Sequence, residues 1–166
     1  PFLFSYKGVL NNVDRIEEAA IGNGVTSTAP EVDNLVRRLP LVFNINDTLY
    51  PSFGLEVLRA AAGAKSYTLK TNETGVEALR VKGLPIITTD PNARVWATWN
   101  TQFERISAKD YAEKAPEYPI VLLGVTARGA STLVATPDGL KAPHEIQASA
   151  ISTLLQGKNI ARPDWA

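Results

Sequence analysis

The chain contains no cysteine and one histidine, His144. Without cysteine it can form no disulfide, no thiolate metal site and no cysteine nucleophile. That absence is compatible with an oxidising compartment, where unpaired thiols are a liability. A single histidine is too few for a His-based zinc site, and no cofactor is expected. Neither sign of charge is in excess: 17 Lys and Arg balance 17 Asp and Glu. With no Lys/Arg-rich stretch, nothing electrostatic favours a nucleic-acid partner. No apolar run approaches the roughly 18 residues of a membrane span. The opening PFLFSYKG is too short, and lacks the basic lead, of a signal peptide. The chain starts on apolar residues without a methionine, so the expectation is a portion of a larger protein.

What is present is an ordinary folded composition, 45% apolar and 20% charged over 166 residues. That suits one domain spanning 1–166 with a full core. FLFSYK reads as a strand, and residues 8 to 33 as a long irregular connection. LVRRLPLVFNI, 35 to 45, is β-rich, with Pro40 demoting its middle to an edge or bulge. NIND has turn chemistry and leads to a short return at TLY. PSFGLEVLRAAAG predicts a helix near 52 to 62, with Gly63 at its C′ position. SYTLK and VEALRV read as strands, and PIITTDPNARVWATWN as two strands joined by the Asp90-Pro91-Asn92 turn. SAKD, 107 to 110, suggests a capping box with Asp110 bonding back. A last helix is expected over 143 to 156, with an apolar stripe of Ile146, Ala150, Ile151, Leu154 and Leu155 and with Gly157 ending it. Helices interleaved with strands indicate an α/β single-domain sandwich, a central mostly β layer covered by helices.

The stretch IVLLGVTARGAS, 120 to 131, has the glycine spacing of a P-loop, with Ala130 where the lysine belongs. A P-loop also needs its helix at once, so that backbone amides face the phosphate. TLVATPDGLKAPHE instead places two prolines and a glycine before the helix. The preferred reading is a buried strand, 119 to 124, leaving the sheet through a small-residue loop. Such loops often line ligand crevices in α/β folds. Thr126, Arg128 and Ser131 are therefore candidates for a small polar ligand.

Other candidates each have a structural alternative. Arg37 and Arg38 alternate across a strand, so a structural ion pair competes with ligand contact. Trp96 and Trp99 face opposite ways in a strand, and at least one belongs to the core. His144 falls in the first turn of the last helix beside Glu145. The helix dipole there disfavours an imidazolium and Glu145 favours it, so a pH-sensing role stands beside no role at all. Ser131, Asp138 and His144 lie near each other in sequence, but no G-x-S-x-G elbow accompanies them.

Four stretches in order resemble the extracytoplasmic sensor family called CHASE type two (cyclase/histidine-kinase-associated sensing extracellular). PEVDNLVRRLPLVFNINDTLYPSFGLEVLRAAAG is similar to that family's D-G-x-x-R-R-x-P-L and its following Y-P-S-L-A-L-E-A-L-R. LPIITTDPNARVWATWN is similar to I-P-x-D-x-x-G-R-x-x-I-N-Y, and FERISAKD to F-x-x-I-S-A-x-D. IVLLGVTARGASTLVATPDG and HEIQASAISTLLQGKNIARP resemble the family's last strand, loop and helix. The family's loop aspartate falls near Thr132 or Leu133, and its helix His and Asn are Gln147 and Ser149. The resemblance covers about residues 30 to 163 and implies a sensor outside the bacterial cytoplasmic membrane, not an enzyme. Transmembrane helices outside this chain would join it to a cytoplasmic cyclase, diguanylate cyclase or kinase. From the residues themselves, the expected partners are an unidentified small-molecule ligand and a second copy of the chain, a homodimer, and Arg38, Thr126, Arg128, Ser131, His144 and Glu145 are the candidate ligand contacts. A structural or dimerisation module and a small α/β hydrolase are the alternatives.

Overall fold

The computed structural model describes residues 2–114, 119–127 and 129–157. The chain enters through strand β1 (Phe4–Tyr6) and helix α1 (Asp14–Ala19), then reaches β2 (Arg38–Pro40), β3 (Val42–Ile45) and β4 (Thr48–Pro51). Helix α2 (Phe53–Ala61) follows, then β5 (Tyr67–Asn72), β6 (Gly75–Val81), β7 (Ile87–Thr88) and β8 (Arg94–Trp96). A 3₁₀ turn, Ala108–Asp110, leads into the short helix α3 (Tyr111–Lys114). The hairpin β9 (Val134–Thr136) and β10 (Gly139–Lys141) precedes helix α4 (Pro143–Gln156). The fold is α/β as expected, and among the described residues its strands divide among four small sheets: β1-β3-β4, β2-β8, β5-β6-β7 and β9-β10.

Pro40 explains the first division. It has no N–H to donate, and β2 ends on it, still opposite Arg94 of β8. Leu41 between the two strands donates to the Ala93 carbonyl at 2.9 Å, and its own carbonyl accepts from the Ser52 N–H at 2.8 Å. β2 therefore pairs antiparallel with β8, while β3 pairs parallel with β1 and antiparallel with β4. Asn46 and Asp47, at φ 49° and 60°, both occupy the left-handed region that a two-residue hairpin turn between β3 and β4 requires. The two strands around Asp90 form, but β7 joins β6 and β8 joins β2 rather than each other.

α2 begins where the sequence suggests: the Ser52 hydroxyl accepts the Leu55 N–H at 3.4 Å, and Gly63 follows the helix at φ 62°. α4 spans the expected residues and ends on Gly157 at φ 61°. Ile146, Ala150, Ile151 and Leu154 are buried, but Leu155 of the expected stripe is exposed. The larger core unites Leu41, Val42, Leu55, Leu58, Leu79, Val81 and Val95 with Ile151 and Leu154. The smaller one gathers Val36, Leu39, Trp99, Ile146 and Ala150. Each fully buried Leu or Val contributes on the order of 2 kcal/mol. α4 belongs to both cores, so its position is tied to most of the domain. Gly54 lets α2 come close to it: a Cβ there would lie 3.2 Å from that of Ala150.

Three local expectations are corrected. α1 lies inside the stretch read as irregular; none of its six residues is buried, so it carries no apolar stripe for periodicity to detect. Ser107 precedes the 3₁₀ turn without a side-chain cap bond, so the capping box does not form. The third concerns IVLLG. Ile120 and Leu122 pack on the larger core, whereas Val121, Leu123 and Val125 are 47%, 91% and 59% exposed. Burial alternates with the period of a strand, but residues 119 to 124 join no sheet among the described residues. An alternating pattern reports that one face is buried and carries no information about a hydrogen-bonded neighbour.

Candidate functional site

The loop after IVLLG turns back over the start of α4. Between them lies a cavity of about 340 Å³ lined by Arg105, Thr126, Ala127, Gly129, Ser131, Leu133, Ala142, His144 and Glu145. Four candidates from the sequence thus meet at one place: Thr126, Ser131, His144 and Glu145. Arg128 lies outside the described residues. Arg38 is elsewhere.

α4 positions its own contribution. Pro143 sits at the first helical position, where a missing N–H costs nothing. Glu145 bends back so that Oε2 accepts the Ala142 N–H at 2.8 Å. Ala142 has no side-chain oxygen to cap the helix in return, so the carboxylate alone meets the positive end of the helix. The other Glu145 oxygen forms an ion pair with Arg105, whose side chain is 79% exposed against 20% for Glu145. Ser131 Oγ donates to the Val125 carbonyl at 3.4 Å, which folds the loop on itself.

Gly124 is where loop and helix touch. A Cβ at this position would overlap the His144 ring and lie 2.7 Å from the His144 Cβ. No larger residue fits without moving one element from the other. The glycine that looked like the first of a P-loop is thus a close-approach position. The P-loop reading fails structurally as well, because the β9-β10 hairpin separates the loop from α4. The sequence reading places no strand in this hairpin, where Gly139 at φ 93° starts β10 opposite Thr136.

Arg38 belongs to an ion-pair network at the β2-β8 edge. It donates to Glu31 at 2.8 Å and to Asp90 at 3.1 Å, and its guanidinium lies 5.3 Å over Trp96. Arg37, expected to diverge from it, instead joins the same network through Asp33 at 2.6 Å and Glu31 at 3.3 Å. Asp90 accepts the Asn92 and Arg94 N–H groups and the Arg94 side chain, fixing the turn. The hydrogen bond from Arg38 is the main cause holding Glu31 below the usual carboxylate range. Asp33 is lowered to about 2, chiefly by its hydrogen bond from Arg37. A broad hollow of about 600 Å³ opens beside these groups. Their charges already satisfy one another, which fits a structural network better than an unfilled site.

Trp99 is the core tryptophan, while Trp96 lies half-buried under Arg38. Gln147 and Ser149 are buried, and Gln147 Nε2 donates to the Thr26 carbonyl at 3.2 Å. Asp138 pairs with Lys141 at 2.6 Å and does not line the cavity, so Ser131, Asp138 and His144 form no triad. Among the described residues, no group of three or more His, Asp or Glu is placed to hold a metal ion, and no helix is long and apolar enough to cross a membrane.

Sequence reasoning missed Arg105. It sits in an irregular stretch, and the only signal for it is its place in FERISAKD, one of the family-like segments. A family model described as the CHASE2 domain matches residues 5–166. No curated protein and no solved structure matches the chain.

Proposed function

The chain belongs to the CHASE2 family, an extracytoplasmic sensory domain of signalling proteins, and from that premise we propose that the cavity at the start of α4 receives its signal. The observation that carries this reading is the convergence of Thr126, Ser131, His144 and Glu145 on one cavity. A ligand there touches both the loop and the first turn of α4. It acts as a signal only if it binds two arrangements of the domain with different affinity. α4 spans both cores, so a shift at its start is felt throughout the domain. In the full-length protein, membrane helices outside this chain would carry the change to a cytoplasmic cyclase, diguanylate cyclase or kinase. The domain itself performs no catalysis in this reading.

Thermal unfolding of the chain across a metabolite library tests the site. Stabilisation follows RT ln(1 + [L]/Kd), so weak ligands register at millimolar concentration. A hit is expected to lose its effect in Thr126→Val or Ser131→Ala. A hit indifferent to both substitutions places the site elsewhere.

A second reading is an association module, and the outward row Val121, Leu123 and Val125 favours it. An exposed apolar row offers itself to another chain. If that edge makes a homodimer, Leu123→Lys abolishes it in sedimentation equilibrium. A dimer unaffected by Leu123→Lys uses a different face.

A further inference from the structure

We infer that the cavity at the start of α4 takes a free α-amino acid, held by its carboxylate on Arg105 and its ammonium group on Glu145. This rests on the reading of that cavity as the signal site. Among its described lining residues, Arg105 and Glu145 carry one positive and one negative charge, and they are paired with each other. A ligand reaching either must therefore separate them. Arg105 is 79% exposed against 20% for Glu145, so water takes over the guanidinium as the pair separates. Glu145 is also not stranded by it, since Oε2 keeps the Ala142 N–H at 2.8 Å and the helix start.

What enters decides whether the separation is repaired. A simple carboxylic acid satisfies Arg105 and brings its anion up against Glu145. A simple amine satisfies Glu145 and leaves Arg105 without its partner. A zwitterion gives each group a new opposite charge, with charge-assisted hydrogen bonds at both ends. The rest of the lining agrees with that size and polarity. Leu133, Ala127 and Ala142 supply an apolar wall for a side chain, and Thr126, Ser131 and His144 supply hydrogen-bonding groups. A volume of about 340 Å³ lies at the small end of ligand sites and suits a molecule of amino-acid size.

The test is calorimetric titration and thermal unfolding of the 166-residue chain with the twenty L-amino acids. For any hit, the corresponding deaminated acid and decarboxylated amine follow. At least one amino acid is expected to bind saturably, at least tenfold tighter than either of its one-charge analogues. Glu145→Gln keeps an oxygen for the Ala142 N–H while removing the charge. It is expected to weaken the amino acid tenfold or more and to spare the acid analogue. Arg105→Gln is expected to weaken both, and its melting temperature checks that the fold is intact. Equal binding of an analogue, or binding indifferent to both substitutions, overturns the inference. A ligand of another class that depends on Thr126 and Ser131 also overturns it, but leaves the cavity as the signal site. If nothing in either the amino-acid or the metabolite set binds, both ideas fall.

Discussion

Gly124→Ala measures whether the loop and α4 are held together as described. The added Cβ would sit 2.7 Å from the His144 Cβ and overlap the ring. Carbon atoms in good contact lie about 3.5–4.0 Å apart, so a retreat of roughly 1 Å is needed. Rotating the imidazole relieves only part of this, because the His144 Cβ is fixed to the helix. Overpacking of this kind costs about 1–3 kcal/mol. Against it, replacing glycine restricts the unfolded chain and returns about 0.4–1 kcal/mol. The net loss is about 1 kcal/mol, a fall of roughly 2–4 °C in melting temperature for a chain of this size. His144→Ala removes the ring but keeps the Cβ, so it relieves part of the clash. A double-mutant cycle read by thermal unfolding is therefore expected to show a coupling of about 0.5–1 kcal/mol, within the range for residues in contact. If Gly124→Ala is neutral, or if the two substitutions are additive, loop and helix are not in the contact on which the site depends.

Two further outcomes concern the ion-pair network. Glu31 and Asp33 have depressed folded-state values, so their contribution is full above the unfolded pKa and is lost as pH falls through the folded one. For Asp33 that window runs from about 4 down to about 2. A carboxyl NMR titration is expected to find its midpoint near 2, moving back toward 3.8 in Arg37→Gln; an unchanged midpoint removes Arg37 as the cause. Asp90→Ala strips the acceptor from two backbone N–H groups and from two arginines. It is expected to cost about 2–4 kcal/mol in denaturant unfolding, and a loss under about 1 kcal/mol would show that the turn holds itself.

The two long helices, α2 and α4, were legible because local chemistry decides their ends. Ser52 and Gly63 bracket α2, and Pro143 and Gly157 bracket α4. Strands β1 to β8 were also legible, but their partnership was not, and the β9-β10 hairpin carried no signal that was recognised. Pro40 announces a break, yet nothing local says that the chain changes sheets at Leu41. IVLLG shows the same limit, since its alternation marked a buried face without a ladder. At the site, the small-residue loop and the start of α4 were found as separate signals, and their meeting is a tertiary fact. Arg38 was singled out beside a plausible structural role, and three carboxylates within reach of the arginines now account for it. Arg105 carried no local signal, because an exposed arginine in an irregular stretch looks like any other until Glu145 is seen beside it.

The central claim is that this domain senses through the cavity between its 124–133 loop and α4. The most direct measurement is the signalling output of the full-length protein carrying Glu145→Gln, Arg105→Gln or Lys82→Ala, at matched expression and membrane insertion. Lys82 is exposed in the turn between β6 and β7. It supplies a charge change away from the cavity. The account predicts that Glu145→Gln and Arg105→Gln alter basal or stimulated output severalfold while Lys82→Ala leaves it at the parental level. Three variants responding alike would contradict it and move the signal to another face of the domain.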